Sequence, residues 1–174
     1  MKSMKLVALL IFSLAAQNIL ADENPRKTVE ISINPLSLIN GTLPVTVRVA
    51  LTQKIALGVF AYGRFLSWGE GRIHGGGGGI STKFFLTGSA ISDSWFVEPG
   101  ISAGYTNHGQ GFWGLYPSIL AGHTWVWNSG FTLNLGLGLS YGFTFVDKDF
   151  WLNKTAFGIH GIMPTGEFSL GWAF

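Results

Sequence analysis

Three features are missing or scarce in this 174-residue chain, and each absence removes a class of protein. There is no cysteine, which excludes a disulfide framework, a thiolate metal site and a lipidated cysteine. Charged residues make up 11% of the chain, whereas globular domains carry about 25%. After residue 21, no apolar run reaches the roughly 18 residues of a transmembrane helix. We therefore expect neither a typical soluble domain nor a helical membrane protein.

The excess of basic charge belongs to the first residues. Lys2 and Lys5 precede an apolar run at residues 6–16, and Ala21 supplies the small residue of a cleavage site. This pattern predicts a secretory signal peptide at residues 1–21; the alternative is an N-terminal membrane anchor, for which the run is short. Without the two lysines, nine basic residues (11 − 2) oppose nine acidic ones. Because no basic cluster with interleaved aromatic residues exists either, we expect no nucleic-acid partner.

Period-two alternation dominates the rest of the chain. Over residues 131–144, large apolar or aromatic residues alternate with Thr, Asn, Gly and Ser at every position, which is the signature of a strand with one apolar face. After a polar periplasmic lead-in at residues 22–27, the chain divides into eight strand candidates: 28–39, 43–51, 55–66, 75–86, 95–105, 112–127, 131–144 and 155–174. Asn40–Gly41 has the sequence of a hairpin turn. We expect polar loops at 67–74, 106–111 and 147–154.

An even number of strands with about 10–12 residues each predicts an all-β fold at residues 28–174. The expected architecture is an eight-stranded antiparallel up-and-down transmembrane β-barrel. The main alternative is a soluble sandwich or lipocalin-like barrel, whose polar face would point outward. The small residues Gly136, Gly138, Ser140 and Gly142 are poor candidates for a charged exterior, but they suit the narrow interior of an eight-stranded barrel.

Six charged residues fall on the predicted inner face, three of each sign. They are Glu30, Arg48, Arg64, Lys83, Glu98 and Glu167. Buried charges need partners, so we interpret the set as an ion-pair plug that fills the lumen. The alternative interpretation is an ion path or an active site.

Neither catalytic nor cofactor-binding residues can be assigned. His108, His123 and His160 have no Ser and acidic partner at short strand spacing, and we expect His108 in a loop. The run Gly75–Gly79 lacks the Gly-Lys-Ser/Thr ending of a phosphate-binding loop and does not precede a helix. We therefore expect no enzyme, no cofactor and no metal.

Aromatic residues near the predicted strand ends indicate two girdles at the lipid interfaces. They are Trp95, Tyr105, Tyr116, Trp125, Trp127, Tyr141, Trp151 and Trp172. Pro99, Pro117 and Pro164 lie inside strands, where proline removes a hydrogen-bond donor. We expect Pro164 to form a bulge that resets the phase of the last strand.

The chain resembles the small eight-stranded bacterial outer-membrane barrels, such as the OmpX, OmpW and OmpA-transmembrane groups. GHTWVWNSGFTLNLGLGLSYGF, residues 122–143, is the stretch most similar to them. The last strand is similar to their assembly signal, which is a polar residue, then Gly, then spaced apolar positions ending in Phe. The matching residues are Glu167, Phe168, Leu170, Trp172 and Phe174, with Ser169 where Gly is usual.

This resemblance implies export, recognition by the barrel-assembly machinery and insertion into the outer membrane of a Gram-negative-type bacterium. The expected partners are outer-membrane lipids, lipopolysaccharide and an unknown surface ligand of the outer loops. We expect a plugged barrel with a structural or surface-interaction role. The alternatives are a lipid-A-modifying or lipid-binding barrel enzyme and a narrow channel for small hydrophobic solutes.

Overall fold

A computed structural model of the chain describes residues 27–68, 71–108, 110–146 and 161–174. It contains eight strands and one 3₁₀ helix: β1 (Val29–Ile33), the 3₁₀ helix (Pro35–Asn40), β2 (Thr42–Ala50), β3 (Ile55–Trp68), β4 (Gly71–Phe85), β5 (Ser94–His108), β6 (Gln110–Val126), β7 (Phe131–Val146) and β8 (Gly161–Ala173). Within these ranges, no helix is both long and apolar enough to cross a membrane. The predicted signal peptide, residues 22–26 of the lead-in and the 147–154 loop lie outside the described residues.

The strands form a closed barrel in which each one is antiparallel to its neighbours in chain order. Closure comes from β1 and β8, which pair from Glu30 opposite Ala173 to Ile33 opposite Leu170. Beyond this pairing, the Phe174 N–H donates to the Val29 carbonyl oxygen at 2.9 Å. The predicted eight-stranded, up-and-down antiparallel barrel is therefore confirmed.

The two ends of the barrel differ in their connections. Lys27, Phe174 and the turns at 51–54, 86–93 and 127–130 lie at one end, which we call the terminal end. The 3₁₀ helix and the junction of β3 with β4 lie at the opposite, far end. Along β7 the faces alternate as predicted: Leu135, Leu137 and Leu139 are exposed, whereas Asn134 and Gly136 are buried.

The first strand is shorter than predicted, because the chain leaves it at Ile33. Asn34 then caps the 3₁₀ helix: its side-chain oxygen accepts a hydrogen bond from the Ser37 N–H at 3.3 Å, and Pro35 occupies the first turn. Gly41 closes this helix at φ 62°, a left-handed conformation that glycine adopts readily. The expected hairpin at Asn40–Gly41 is therefore wrong.

Two of the predicted polar loops are also wrong. β3 continues to Trp68 and β4 begins at Gly71, and β5 and β6 are separated by residue 109 alone. His108 is thus the last residue of β5. The backbone ladder continues where polar residues replace apolar ones, because strand pairing needs only main-chain groups.

Pro164 does not form a bulge. Leu139 lies opposite Pro164 and Ser140 opposite Met163, in the same register as the rest of β7 and β8. Pro99 and Pro117 instead interrupt the ladders locally. The β4–β5 pairing passes from Ser81–Gly100 to Phe84–Val97, and the β6–β7 pairing from Leu115–Phe143 to Ser118–Ser140. Each gap omits two pairs and keeps the register, as expected where a donor is missing.

Candidate functional site: the barrel interior

Five of the six predicted interior charges meet inside the barrel; we call them the ion network. They are Glu30, Arg48, Lys83, Glu98 and Glu167. The Arg48 Nη2 atom lies 2.6 Å from Glu167 Oε1 and 3.2 Å from Glu98 Oε1. Lys83 Nζ lies 3.2 Å from Glu98 Oε2 and 3.5 Å from Glu167 Oε2. With Glu30 Oε1 3.7 Å from its Nη1, Arg48 therefore bridges carboxylates from three strands, and Lys83 bridges carboxylates from two.

Neutral polar side chains complete the ion network. Asn134 Nδ2 donates to Glu30 Oε1 at 2.6 Å and to Ser169 Oγ at 3.1 Å. Ser169 Oγ in turn donates to Glu167 Oε1 at 2.8 Å, and Lys83 Nζ donates to Asn134 Oδ1 at 3.0 Å. Our sequence reasoning missed these residues. Ser169 could have been found, because the alternation of the last strand assigns it to the same face as Glu167.

The ion network is dehydrated. Lys83 is 0% exposed, Glu30 1%, and Arg48 and Glu98 3% each. Taking charges out of water costs several kcal/mol per ion unless close partners compensate. Three carboxylates oppose two cations, and within the described residues Glu30 Oε2 and Arg48 Nε have no hydrogen-bond partner. Such an arrangement can tie six strands together.

An apolar layer lies between the ion network and the terminal end, and we call it the terminal seal. It consists of Ala56, Phe85, Ala90, Ile91 and Ala173. The turn between β4 and β5 bends inward so that Ile91 is 2% exposed, and the Ala90 N–H donates to the Gln53 carbonyl oxygen at 2.8 Å. Ile91 has φ 55°, which is unfavourable for a β-branched residue. Its burial in the barrel mouth compensates for this strain.

Phe96 is buried beside the ion network. The Lys83 ammonium group lies 3.8 Å from the centre of the Phe96 ring, a cation–π contact. The ring itself lies over Gly122 and Gly136, where an added Cβ would come within 2.8 and 3.2 Å of Phe96 Cζ. Glycine at these two positions makes room for the aromatic ring inside the narrow barrel.

Arg64 is the one predicted interior charge that lies apart from the ion network. Its Nε donates to Thr42 Oγ1 at 3.2 Å, and it forms no ion pair within the described residues. It faces the lumen, on the same face of β3 as the buried Ala56 and Gly58, whereas the next residue, Phe65, is exposed. Tyr116, which we expected in a girdle, also faces the interior, on the same face of β6 as the buried Gly122 and Thr124.

The other described girdle residues face outward, in two groups. Trp95, Trp125, Trp127 and Trp172 lie towards the terminal end, and the rings of Trp127 and Trp172 both contact Phe131. Tyr105 and Tyr141 lie towards the far end, where Tyr105 contacts Trp113 with ring centroids 5.4 Å apart. Trp151 lies outside the described residues.

Of the three histidines considered for catalysis, His123 can be described in full. It faces outward, with its ring 5.0 Å from Trp95 and 4.5 Å from Trp125, and its Nε2 lies 3.5 Å from Asp93 Oδ1. His160 lies outside the described residues. Among the side chains that are described, no three His, Asp or Glu residues converge in an arrangement that could hold a metal.

Together these features define a closed eight-stranded barrel with an apolar exterior and an interior that holds the terminal seal and the ion network. Comparisons with protein-family models, curated proteins and solved structures found no match.

Proposed function

We propose that the chain is an integral outer-membrane β-barrel with a plugged interior and a structural or surface-interaction role. One observation carries the proposal, namely the inverted distribution of polarity. Among the described residues, twelve buried ones are polar or charged and seven are apolar, whereas 27 large apolar residues are exposed. Soluble monomers seldom expose an apolar patch above a few hundred Å². The outer surface of a transmembrane barrel is apolar, because it contacts the lipid chains of the bilayer.

The spacing of the outward aromatic residues supports this proposal. Trp95 and Tyr105 lie ten residues apart on β5. At about 3.3 Å per residue and a strand tilt of about 40°, this separation corresponds to roughly 25 Å along the barrel axis. Apolar bands of outer-membrane barrels are about 25 Å tall and carry aromatic girdles at both interfaces. The exposed residues between the two positions, Val97 to Ala103 on the odd-numbered face, carry no charge.

The interior supports a plug in preference to a channel. The terminal seal and the ion network lie one behind the other across the lumen, so a solute would have to displace both. An eight-stranded interior is normally filled by side chains. Interaction with partners then belongs to the outer surface and the far end.

The terminal strand supports assembly by the outer-membrane machinery. Phe168, Leu170 and Trp172 share the outward face of β8, and Phe174, which follows the strand, is 64% exposed. The side chains of Trp172 and Phe174 are accessible for recognition, while the backbone of Leu170 and Trp172 pairs with β1 and closes the barrel. Export through the predicted signal peptide at residues 1–21 completes this proposal.

Folding into lipid vesicles tests the proposed function. Refolded protein should migrate differently on a detergent gel before and after boiling, and it should resist protease when bound to vesicles. Planar bilayers that contain it should show no discrete conductance steps. Protein that stays soluble and monomeric without detergent would contradict the membrane location, whereas regular channel openings would contradict the plug.

A further inference from the structure

The far half of the lumen differs chemically from the ion network, and Arg64 is its one described interior charge. Of the acidic residues whose side chains are described, Glu30, Glu98 and Glu167 belong to the ion network and Asp93 to the terminal end. None of them pairs with Arg64. Arg64 also lies six residues beyond Gly58, the residue opposite Arg48, which is about 20 Å along the strand at about 3.3 Å per residue.

The Arg64 guanidinium group has donors to spare. Its Nε is used by Thr42 Oγ1, and within the described residues its two Nη atoms make no hydrogen bond. The residue as a whole is partly exposed. The pair of Nη atoms matches the two oxygens of a carboxylate or phosphate group in a bidentate arrangement.

The hydroxyl groups of Tyr62 and Tyr116 lie in the same half of the lumen, where glycines leave room for them. A Cβ at Gly77 would come within 2.6 Å of the Tyr62 hydroxyl, and a Cβ at Gly104 would collide with it. The Tyr62 ring therefore lies flat across β4 and β5. Tyr116 faces the lumen from β6, and a Cβ at Gly114, which pairs with Gly104, would collide with its hydroxyl. Neither hydroxyl is hydrogen-bonded among the described residues, so both can donate to an anion.

We propose that Arg64, Tyr62 and Tyr116 form an anion-binding site, which we call the anion cup, in the far half of the lumen. Its ligand carries a carboxylate or a phosphate group. The ion network has more carboxylates than cations, so it repels an anion from the terminal half of the lumen. The cup therefore binds the anion but does not conduct it through the barrel. The proposal goes beyond the membrane role and depends on the barrel alone, so its failure would leave the proposed function standing.

Titration of the refolded protein in nonionic detergent micelles tests the anion cup. Inorganic phosphate and acetate are the probes, followed by calorimetry and by the ¹H–¹⁵N signal of the Arg64 Nε–H. We expect saturable binding with a Kd of about 1 mM for the better probe and a shift of that signal. The stronger of the two anions assigns the ligand class. Absence of saturation with both would overturn the proposal.

Two variants distinguish anion binding at Arg64 from a general effect of losing one positive charge. Arg64→Gln should weaken binding roughly ten- to hundredfold, because charge-assisted hydrogen bonds are lost. The matched control is Lys54→Gln, an exposed residue at the terminal end with the same change of charge, which should leave binding unchanged. Equal binding by wild type and Arg64→Gln would contradict the site.

A second variant keeps the test valid if Arg64→Gln fails to fold. The double variant Tyr62→Phe/Tyr116→Phe preserves both rings and should weaken binding by about three- to tenfold. Unchanged binding in a folded double variant would remove the phenols from the proposal. Phosphatidic acid added to the micelles distinguishes the sources of phosphate. Competition with free phosphate would assign a lipid headgroup, and its absence would assign a soluble anion.

Discussion

Arg48 and Arg64 lie on the inner wall of the same barrel, yet their surroundings differ in almost every respect. Arg48 is 3% exposed and contacts three carboxylates. Arg64 is partly exposed, and its one described hydrogen bond is to a threonine hydroxyl. The terminal half of the barrel is thus filled by side chains that bind one another. The far half is lined by glycines and aromatic rings and leaves a guanidinium group free to bind a ligand.

This comparison indicates how one small lumen can combine stability with binding. A buried charge without a partner costs several kcal/mol, so the ion network needs all of its members. A partly exposed charge costs little, because water solvates it. We expect stability to depend on the terminal half and ligand binding to depend on the far half.

The largest expected effect is on the ion network. Arg48→Met should lower the free energy of unfolding by about 3–5 kcal/mol, because it leaves the three carboxylates of the ion network with a single cation, Lys83. Arg64→Met makes the same change in the far half and should cost less than about 1 kcal/mol. Urea unfolding in detergent micelles measures both values.

A rescue variant identifies the cause of the Arg48 effect. Glu98→Gln in the Arg48→Met background removes one uncompensated charge and should restore part of the lost stability. Similar losses for Arg48→Met and Arg64→Met would show that the two halves are energetically alike, contrary to the comparison.

The terminal seal should give the next largest effect. Ile91→Ala removes a buried side chain and should cost about 2–4 kcal/mol, whereas Leu86→Ala in the same turn should change little because Leu86 is exposed. Since Ile91 has φ 55°, Ile91→Gly should be about 1 kcal/mol more stable than Ile91→Ala. The opposite order of these two variants would argue against the inward turn.

A smaller effect is expected in the far half, where glycine holds Tyr62. Gly104→Ala should cost about 1–3 kcal/mol, because the new methyl group collides with the Tyr62 hydroxyl. In a Tyr62→Phe background most of this cost should disappear. The control is Gly166→Ala, on the outer face, where an added Cβ meets its nearest atom at 3.2 Å. Independent, additive effects of the two substitutions would contradict the packing described for Tyr62.

The barrel could be predicted because each strand residue faces either the lumen or the outer surface, and its size and polarity follow from the side that it faces. Alternation over residues 131–144 distinguishes the face towards the lumen from the outer face, and the small inner residues indicate a narrow interior. The same alternation identified Glu30 and Arg48 as inward residues. Their direct pairing across β1 and β2 then followed from the register.

The position of an inward-facing residue along the barrel axis could not be predicted from the same pattern. Alternation assigns Arg64 to the inner face, but its distance from the ion network depends on register, which places it opposite Thr42 and Gly75. The strand ends were missed at residues 67–74 and 106–111 for a related reason, since apolar alternation fades before the hydrogen-bond ladder ends. The 3₁₀ helix was missed, because residues 28–39 were predicted as one strand. It could have been predicted, since Asn34 is a capping residue and Pro35 a helix-start residue.

The smallest effect on stability is expected at Phe174, which lies at the terminal end of the barrel and can be compared with Phe145 at the far end. Phe174→Asn should change the free energy of unfolding by less than about 1 kcal/mol, because the side chain is exposed and any residue supplies the backbone bonds to Thr28 and Val29. Its level in the outer membrane of cells should nevertheless fall severalfold if Phe174 belongs to an assembly signal. Phe145→Asn changes an equally exposed aromatic residue at the far end and should leave that level unchanged. Equal membrane levels for the two variants would exclude the assembly signal, whereas a large loss of stability in purified Phe174→Asn would mean that the side chain acts in the barrel itself.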